Sequence, residues 1–124
     1  QWKVHIRKNW DKVKIETVQA DCAECARLQV GESLEVEAVV HLGELTADDV
    51  LVEMYIGILD ENRWIREGKA VKMEVVENMG DGRYLFSGVY HCEMTGNHGL
   101  GVRILPYHEN LISKYEMALV LWAG

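Results

Sequence analysis

Between Leu34 and Leu42 the chain alternates with a period of two. Leu34, Val36, Ala38, Val40 and Leu42 fall on one side, and Glu35, Glu37, Val39 and His41 on the other. Successive side chains of an extended strand point to opposite faces, so this stretch reads as a β-strand with one face in a core. A helix would scatter the same apolar residues around its whole circumference. The strand needs hydrogen-bonding partners, and the rest of the chain supplies them.

The same period recurs along the sequence. Residues 12–18 alternate charged and β-branched side chains, and Val50, Val52, Met54, Ile56 and Ile58 share one face of a strand over 51–59. Further strands are predicted over 70–76, over 83–92 with Tyr84, Phe86 and Tyr90 on one face, over 100–105, and over 115–123. In the 100–105 strand Leu100, Val102 and Ile104 point to the core, with Arg103 opposite. Turn signals separate them: Gly31, a Thr46 whose hydroxyl is expected to cap a one-turn helix, the polar run 60–63, the Gly-rich runs 78–82 and 95–99, and Pro106, the sole proline. Seven strands with no long helical period after residue 10 predict an all-β fold. The expected form is an immunoglobulin-like antiparallel β-sandwich, with an up-and-down barrel as the alternative. The Cys…Trp…Cys signature of antibody domains is missing from the sequence, so the likeness is one of architecture.

At the start, Trp2, Ile6 and Trp10 recur at i, i+4 and i+8, one stripe of a helix. Residues 1–9 read as the end of a connecting helix and 10–124 as the sandwich. So short a helix is marginal alone and needs a surface to lie on. A start at Gln1 rather than Met suggests a piece of a longer protein.

The 124 residues suffice for one domain with a real core, and no apolar run reaches the roughly 20 residues of a membrane helix. A net charge of −7 argues against nucleic acid and anionic membranes as partners. Lys3, Arg7, Lys8, Lys12 and Lys14 outnumber Asp11 in the first 14 residues, so a basic lead feeds an acidic body. Three cysteines, an odd number without a disulfide framework, fit a reducing, cytoplasmic setting.

Cys22 and Cys25 have the CxxC spacing that grips zinc, and His41, His91 and Cys92 are possible completing ligands. No second CxxC or HxxxH pair is present, so thiols of a loop and an edge are the weightier reading. A redox role is weaker still, because CxxC normally opens a helix in a βαβ unit. The five histidines have no nucleophile or acid at a diagnostic spacing, and neither GxSxG nor HExxH occurs. Gly96, Gly99 and Gly101 lead into a strand rather than a helix N-terminus, so they read as turn glycines and not a phosphate cradle. Asp60, Glu61 and Asp81 have the oxygen ligands calcium needs, yet solvated turn carboxylates explain them better. Trp64 after a polar turn, Tyr55 opposite the Met54/Ile56 face and Tyr107 in the proline turn are the candidate platforms for stacking a sugar. Each also suits a sandwich edge or an interface.

Two segments carry a family resemblance. One runs from Val40 through His41-Leu-Gly-Glu-Leu-Thr-Ala-Asp-Asp to Gly57. The other runs from Gly101 through Val102-Arg-Ile-Leu-Pro-Tyr-His to Leu111, followed by residues 116–123. Both resemble the C-terminal region of the short, divergent bacterial and archaeal α-glucan (glycogen, starch or maltodextrin) phosphorylases. Trp10-Asp-Lys-Val-Lys-Ile after a helix end also fits the point where the catalytic part of such an enzyme gives way to this region. Ala47 and Glu109 stand where the family often has proline, which softens two turns by tenths to about 1 kcal/mol.

The resemblance implies a parent enzyme that uses pyridoxal phosphate to release glucose 1-phosphate from α-1,4-glucan, with the cofactor lysine and phosphate site upstream of these residues. It implies that this chain alone is not an enzyme and holds no cofactor. The first expectation is an accessory domain packing on the catalytic domain, or on a second copy, through Trp2, Ile6 and Trp10. The rivals are a carbohydrate-binding module using Trp64, Tyr55 and Tyr107, and a zinc-stabilised scaffold using Cys22 and Cys25.

Overall fold

Nine antiparallel strands and one short helix are found among the residues described by the structure, a computed structural model covering 2–20, 25–93, 95–108 and 119–123. Helix α1 (Trp2–Asn9) leads through a 3-10 turn (Trp10–Lys12) to β1 (Lys14–Ala20), β2 (Cys25–Leu28) and β3 (Ser33–His41). After a second 3-10 turn (Ala47–Asp49) come β4 (Val50–Leu59), β5 (Ile65–Lys72), β6 (Glu74–Gly80), β7 (Arg83–His91), β8 (Gly96–Pro106) and β9 (Leu121–Ala123). One sheet has the order β1-β3-β7-β6. The other has β2-β8-β4-β5, with β9 also paired to β8. The predicted sandwich is therefore the observed architecture.

The core lies between the sheets. Leu34, Val36, Ala38, Val40 and Leu42 are all buried, facing Val52, Met54, Ile56, Val102 and Ile104 from the other sheet. This is the alternation rule at work: each inward set comes from every second residue of a strand.

Three local differences from the sequence reading have physical causes. The predicted 70–76 strand is two strands, β5 and β6, in different sheets. The chain changes sheets at Met73, which is 1% exposed and donates its N–H to the Val52 carbonyl at 2.8 Å. Because the backbone stays extended through the change, pattern alone sees one strand. The short β2 lies in the stretch expected to be a loop. At the C-terminus the described strand is β9, and residues 115–118 of the expected strand lie outside the described residues.

The β6–β7 turn places Asp81 at φ 56° and Gly82 at φ 79°. Two positive φ angles are what a tight right-twisting hairpin requires. At Gly82 a Cβ would also meet the Gly43 carbonyl oxygen at 2.7 Å, so no larger residue fits without movement. Before β4, the Asp49 carboxylate accepts the Thr46 N–H at 2.9 Å, with the Thr46 hydroxyl 3.3 Å away. The turn is thus closed from both ends as a capping box, the Thr46 side chain facing the Asp49 backbone N–H while the Asp49 carboxylate takes the Thr46 N–H.

Two charged features mark the larger β4–β8 sheet. Glu53 and Arg103 are directly opposite on the face away from the core. Arg103 Nε and Nη2 donate to Glu53 Oε1 at 2.9 and 2.8 Å, with the residues only 5% and 7% exposed. At the β4–β5 turn, Asp60 Oδ1 accepts the N–H groups of Asn62 and Trp64, each at 2.9 Å, while Oδ2 accepts Arg66 Nε at 2.7 Å. The Trp64 N–H, then Arg66, hold the Asp60 carboxyl below the usual aspartate range.

Removing one member of the buried pair strands the other. Glu53→Ala is expected to cost about 3–5 kcal/mol in urea unfolding, whereas Glu53→Leu combined with Arg103→Leu costs far less. For the turn, the sign follows from a carboxyl whose folded-state pKa is depressed. Its stabilisation is fully present above the ordinary aspartate pKa near 4 and is lost as pH falls from there through the lower folded-state pKa. The Trp64 amide resonance is expected to titrate with a midpoint under that range, and Asp60→Asn is expected to abolish the titration.

Candidate functional site

The Trp2/Ile6/Trp10 stripe faces the sandwich that follows it. Ile6 is fully buried in the common core, and Trp2 and Trp10 pack against that core. Trp2 Nε1 donates to Asp49 Oδ1 at 3.0 Å, and its ring lies 5.0 Å from the His108 ring. The Tyr107 N–H donates to the Asp49 carbonyl at 2.9 Å. Asp49 therefore ties the helix to the start of β4 and the end of β8. Asn9, 3% exposed, ends the helix by donating Nδ2 to the His5 carbonyl at 2.9 Å. The three stripe residues seat the connector on its own domain, and Ile6 has no surface left for another.

The three candidate sugar platforms do not form one row. Trp64 is 69% exposed on the Asp60-clamped turn at one end of β4. Tyr107, also exposed, follows β8 at the opposite end, where Pro106 faces Val50. Nine residue steps of strand separate the ends, about 30 Å. Tyr55 lies between them, on the outer face of the β4–β8 sheet. Its ring covers Gly68, where a Cβ would fall 2.2 Å from Tyr55 Cζ, so glycine is what lets the ring lie flat.

A different set surrounds Tyr55. The Arg103 guanidinium carbon stands 5.6 Å from the Tyr55 ring centre and 5.2 Å from that of Trp122. Tyr55 and Trp122 meet edge to face at 6.1 Å and 87°. The sequence reading singled out Tyr55 but missed Arg103, Glu53 and Trp122 as its neighbours. A signal existed: Glu53 and Arg103 are lone opposite charges within the two most apolar strands.

The cysteine and histidine candidates are dispersed. Cys22 lies outside the described residues, as does the side chain of Cys25, whose backbone pairs with Gly99. His41 Nδ1 donates to the Lys12 carbonyl at 3.1 Å, and His91 Nδ1 is 2.9 Å from Ser33 Oγ. Cys92 instead meets a histidine not among its predicted partners. His98 donates Nδ1–H to the Gly96 carbonyl at 2.9 Å, leaving Nε2 3.5 Å from the Tyr90 hydroxyl and 3.9 Å from Cys92 Sγ. Burial pushes the Tyr90 phenol up. The three residues are buried, His98 at 1% exposure, so this is a polar cluster sealed in the core with no room for a substrate.

Among the described residues no three His, Cys, Asp or Glu side chains are grouped to hold a metal ion. Asp60 spends its oxygens on the turn, while Glu61 and Asp81 are exposed. A cleft of about 70 Å³ lies between the sheet edges, lined by Ile56, Ile58, Arg66, Lys69, Tyr90 and Glu93. Lys69 and Glu93 pair across it at 3.0 Å. Sites for small organic ligands run to roughly 300–1,000 Å³, so this cleft does not hold a sugar ring.

The sequence profile described as the glycogen phosphorylase C-terminal domain matches residues 10–124. Maltodextrin phosphorylase of Thermococcus litoralis is 30% identical over 128 residues, which cover 99% of this chain and 14% of that protein. Glycogen phosphorylases of Mycobacterium bovis and Mycobacterium tuberculosis are each 31% identical over 115 residues, 92% of this chain and 13% of theirs. The chain thus spans about one-seventh of the curated relatives it matches. A β-sandwich with its connector helix folded onto it, matched over nearly its whole length by one profile, belongs to the glycogen phosphorylase C-terminal domain family.

Proposed function

We propose that this chain is the non-catalytic accessory domain of an α-glucan phosphorylase, docked on the catalytic part of the same polypeptide. The observation that carries the reading is the profile match across residues 10–124 at only about one-seventh of the relatives' length. The parent reaction is phosphorolysis of α-1,4-glucan to glucose 1-phosphate. Pyridoxal phosphate, when bound, supplies its phosphate chemistry in the parent's catalytic domain, in the cytoplasm.

The residues described here do not fit that cofactor. It needs a lysine enclosed in a pocket for its Schiff base. Every described lysine is exposed: Lys69 and Lys72 pair with Glu93 and Glu74 at the surface, and the others stand on or just after the helix. In this reading Trp2, Ile6 and Trp10 act in docking by fixing the helix to the sandwich. Whatever precedes the helix is then held in one orientation to the domain, with no loose joint at residue 10.

A second reading, glucan binding, is favoured by Trp64. Its ring is 69% exposed while its backbone is pinned through Asp60, so presenting the ring costs little conformational entropy. Tyr55 and Tyr107 are too far from it to share a sugar ring, and Trp64 carries this reading alone.

One set of measurements separates the two. The isolated chain, given pyridoxal phosphate, α-1,4-glucan and inorganic phosphate, is expected to release no glucose 1-phosphate; measurable release refutes the accessory reading. In affinity electrophoresis through glycogen, retardation that Trp64→Ala removes supports glucan binding, and unretarded migration of the unaltered chain dismisses it.

A further inference from the structure

We infer that the side of the sandwich along the β5–β6 crossing, centred on Met73, is a contact between two copies of this chain related by a two-fold axis. The inference goes beyond the accessory-domain reading and does not depend on it.

Around the crossing the sequence is its own reverse with the charges inverted. Outward from Met73, Lys72 is matched by Glu74, Val71 by Val75, Ala70 by Val76 and Lys69 by Glu77. The crossing also lies where the sandwich has no neighbouring strand. β5 ends one sheet and β6 ends the other, so among the described residues both present an open edge. Met73 is buried, and by strand alternation Lys72 and Glu74 on either side of it point outward. β6 is bulged between Val75 and Glu77, and there two consecutive valines reach the surface, 47% and 60% exposed. Met79, farther along the strand, is exposed as well.

That order selects the occupant. A two-fold contact sets a surface against itself, so that residue i meets j and j meets i. With two copies antiparallel about Met73, Lys72 of each faces Glu74 of the other and Lys69 faces Glu77, while the aliphatic residues between them meet aliphatic residues. A parallel arrangement would set lysine on lysine and glutamate on glutamate, which like-charge repulsion opposes. Contact with a different polypeptide has no need of a surface that repeats itself in reverse, whereas contact with a second copy requires one. Within one chain Lys72 pairs with Glu74 at 3.9 Å and Lys69 with Glu93 at 3.0 Å, all four side chains more than half exposed. Exposed pairs of this kind are exchanged for the other copy's groups at little cost.

Sedimentation equilibrium of the 124-residue chain, which closes a core of its own between the sheets, tests this. The mass is expected to rise with concentration from 14.2 kDa toward twice that value. Lys72→Glu and Glu74→Lys are each expected to weaken the association about tenfold, because each turns two attractions between copies into repulsions. An equimolar mixture of the two variants, and a chain carrying both changes, are expected to regain it, as only an antiparallel contact of these residues allows. Unchanged far-UV circular dichroism shows that the variants keep their fold. A single 14.2 kDa species up to about 1 mM chain overturns the inference, since that concentration reveals even weak specific contacts. A dimer indifferent to both reversals places the contact elsewhere and overturns it, as does failure of the mixture to recover. Association that requires added glycogen makes the edge a glucan contact and likewise overturns it.

Discussion

Nine consecutive cross-strand pairs, from Val50 opposite Pro106 to Ile58 opposite His98, lock β4 to β8, and the remaining structure is arranged around that lock. The pairing delivers Val52, Met54, Ile56, Val102 and Ile104 to the core together. A slip of one residue would exchange the faces, sending Glu53 and Arg103 inward and the core residues out. Correct register instead brings the two charges opposite each other, where Arg103 satisfies Glu53 and stacks near Tyr55 and Trp122. The buried pair thus acts chiefly as a register device, since its Coulomb attraction is offset by the water both groups surrender.

The same two strands anchor the helix. Asp49, at the foot of β4, accepts the Trp2 indole N–H through its side chain and the Tyr107 N–H through its carbonyl. A helix of eight residues has little stability of its own, and here burial of Ile6 supplies what its length cannot. The connector becomes part of the domain it introduces. The described lysines stand at the surface, and the histidine–cysteine contact is sealed in the core.

Much of the fold was legible because strand periodicity depends on neighbours two residues apart. The inward sets of β3, β4, β7 and β8 follow from it directly, as does the sandwich. The sheet change at Met73 was not legible, because an extended chain that leaves one sheet for another keeps its local pattern. The short β2 was missed for a related reason: four residues hold too few alternations to stand out, and its pairing with β8 depends on residues some seventy positions away.

Of the candidate site, residue type was legible and company was not. Trp64, Tyr55 and Tyr107 were recognisable as aromatics near turns or on an outer face, and the helical stripe by its spacing. That Tyr55 stands with Arg103 and Trp122, that Cys92 meets His98 rather than His91, and that the stripe turns onto its own sandwich are matters of long-range register. The sequence by itself determined the periods, the turns, the charge balance and, through the motifs at 40–57 and 101–111, the family. Only the tertiary structure decided which side chains share a face. Strand order and register are set by contacts between distant residues whose free energies no local pattern encodes.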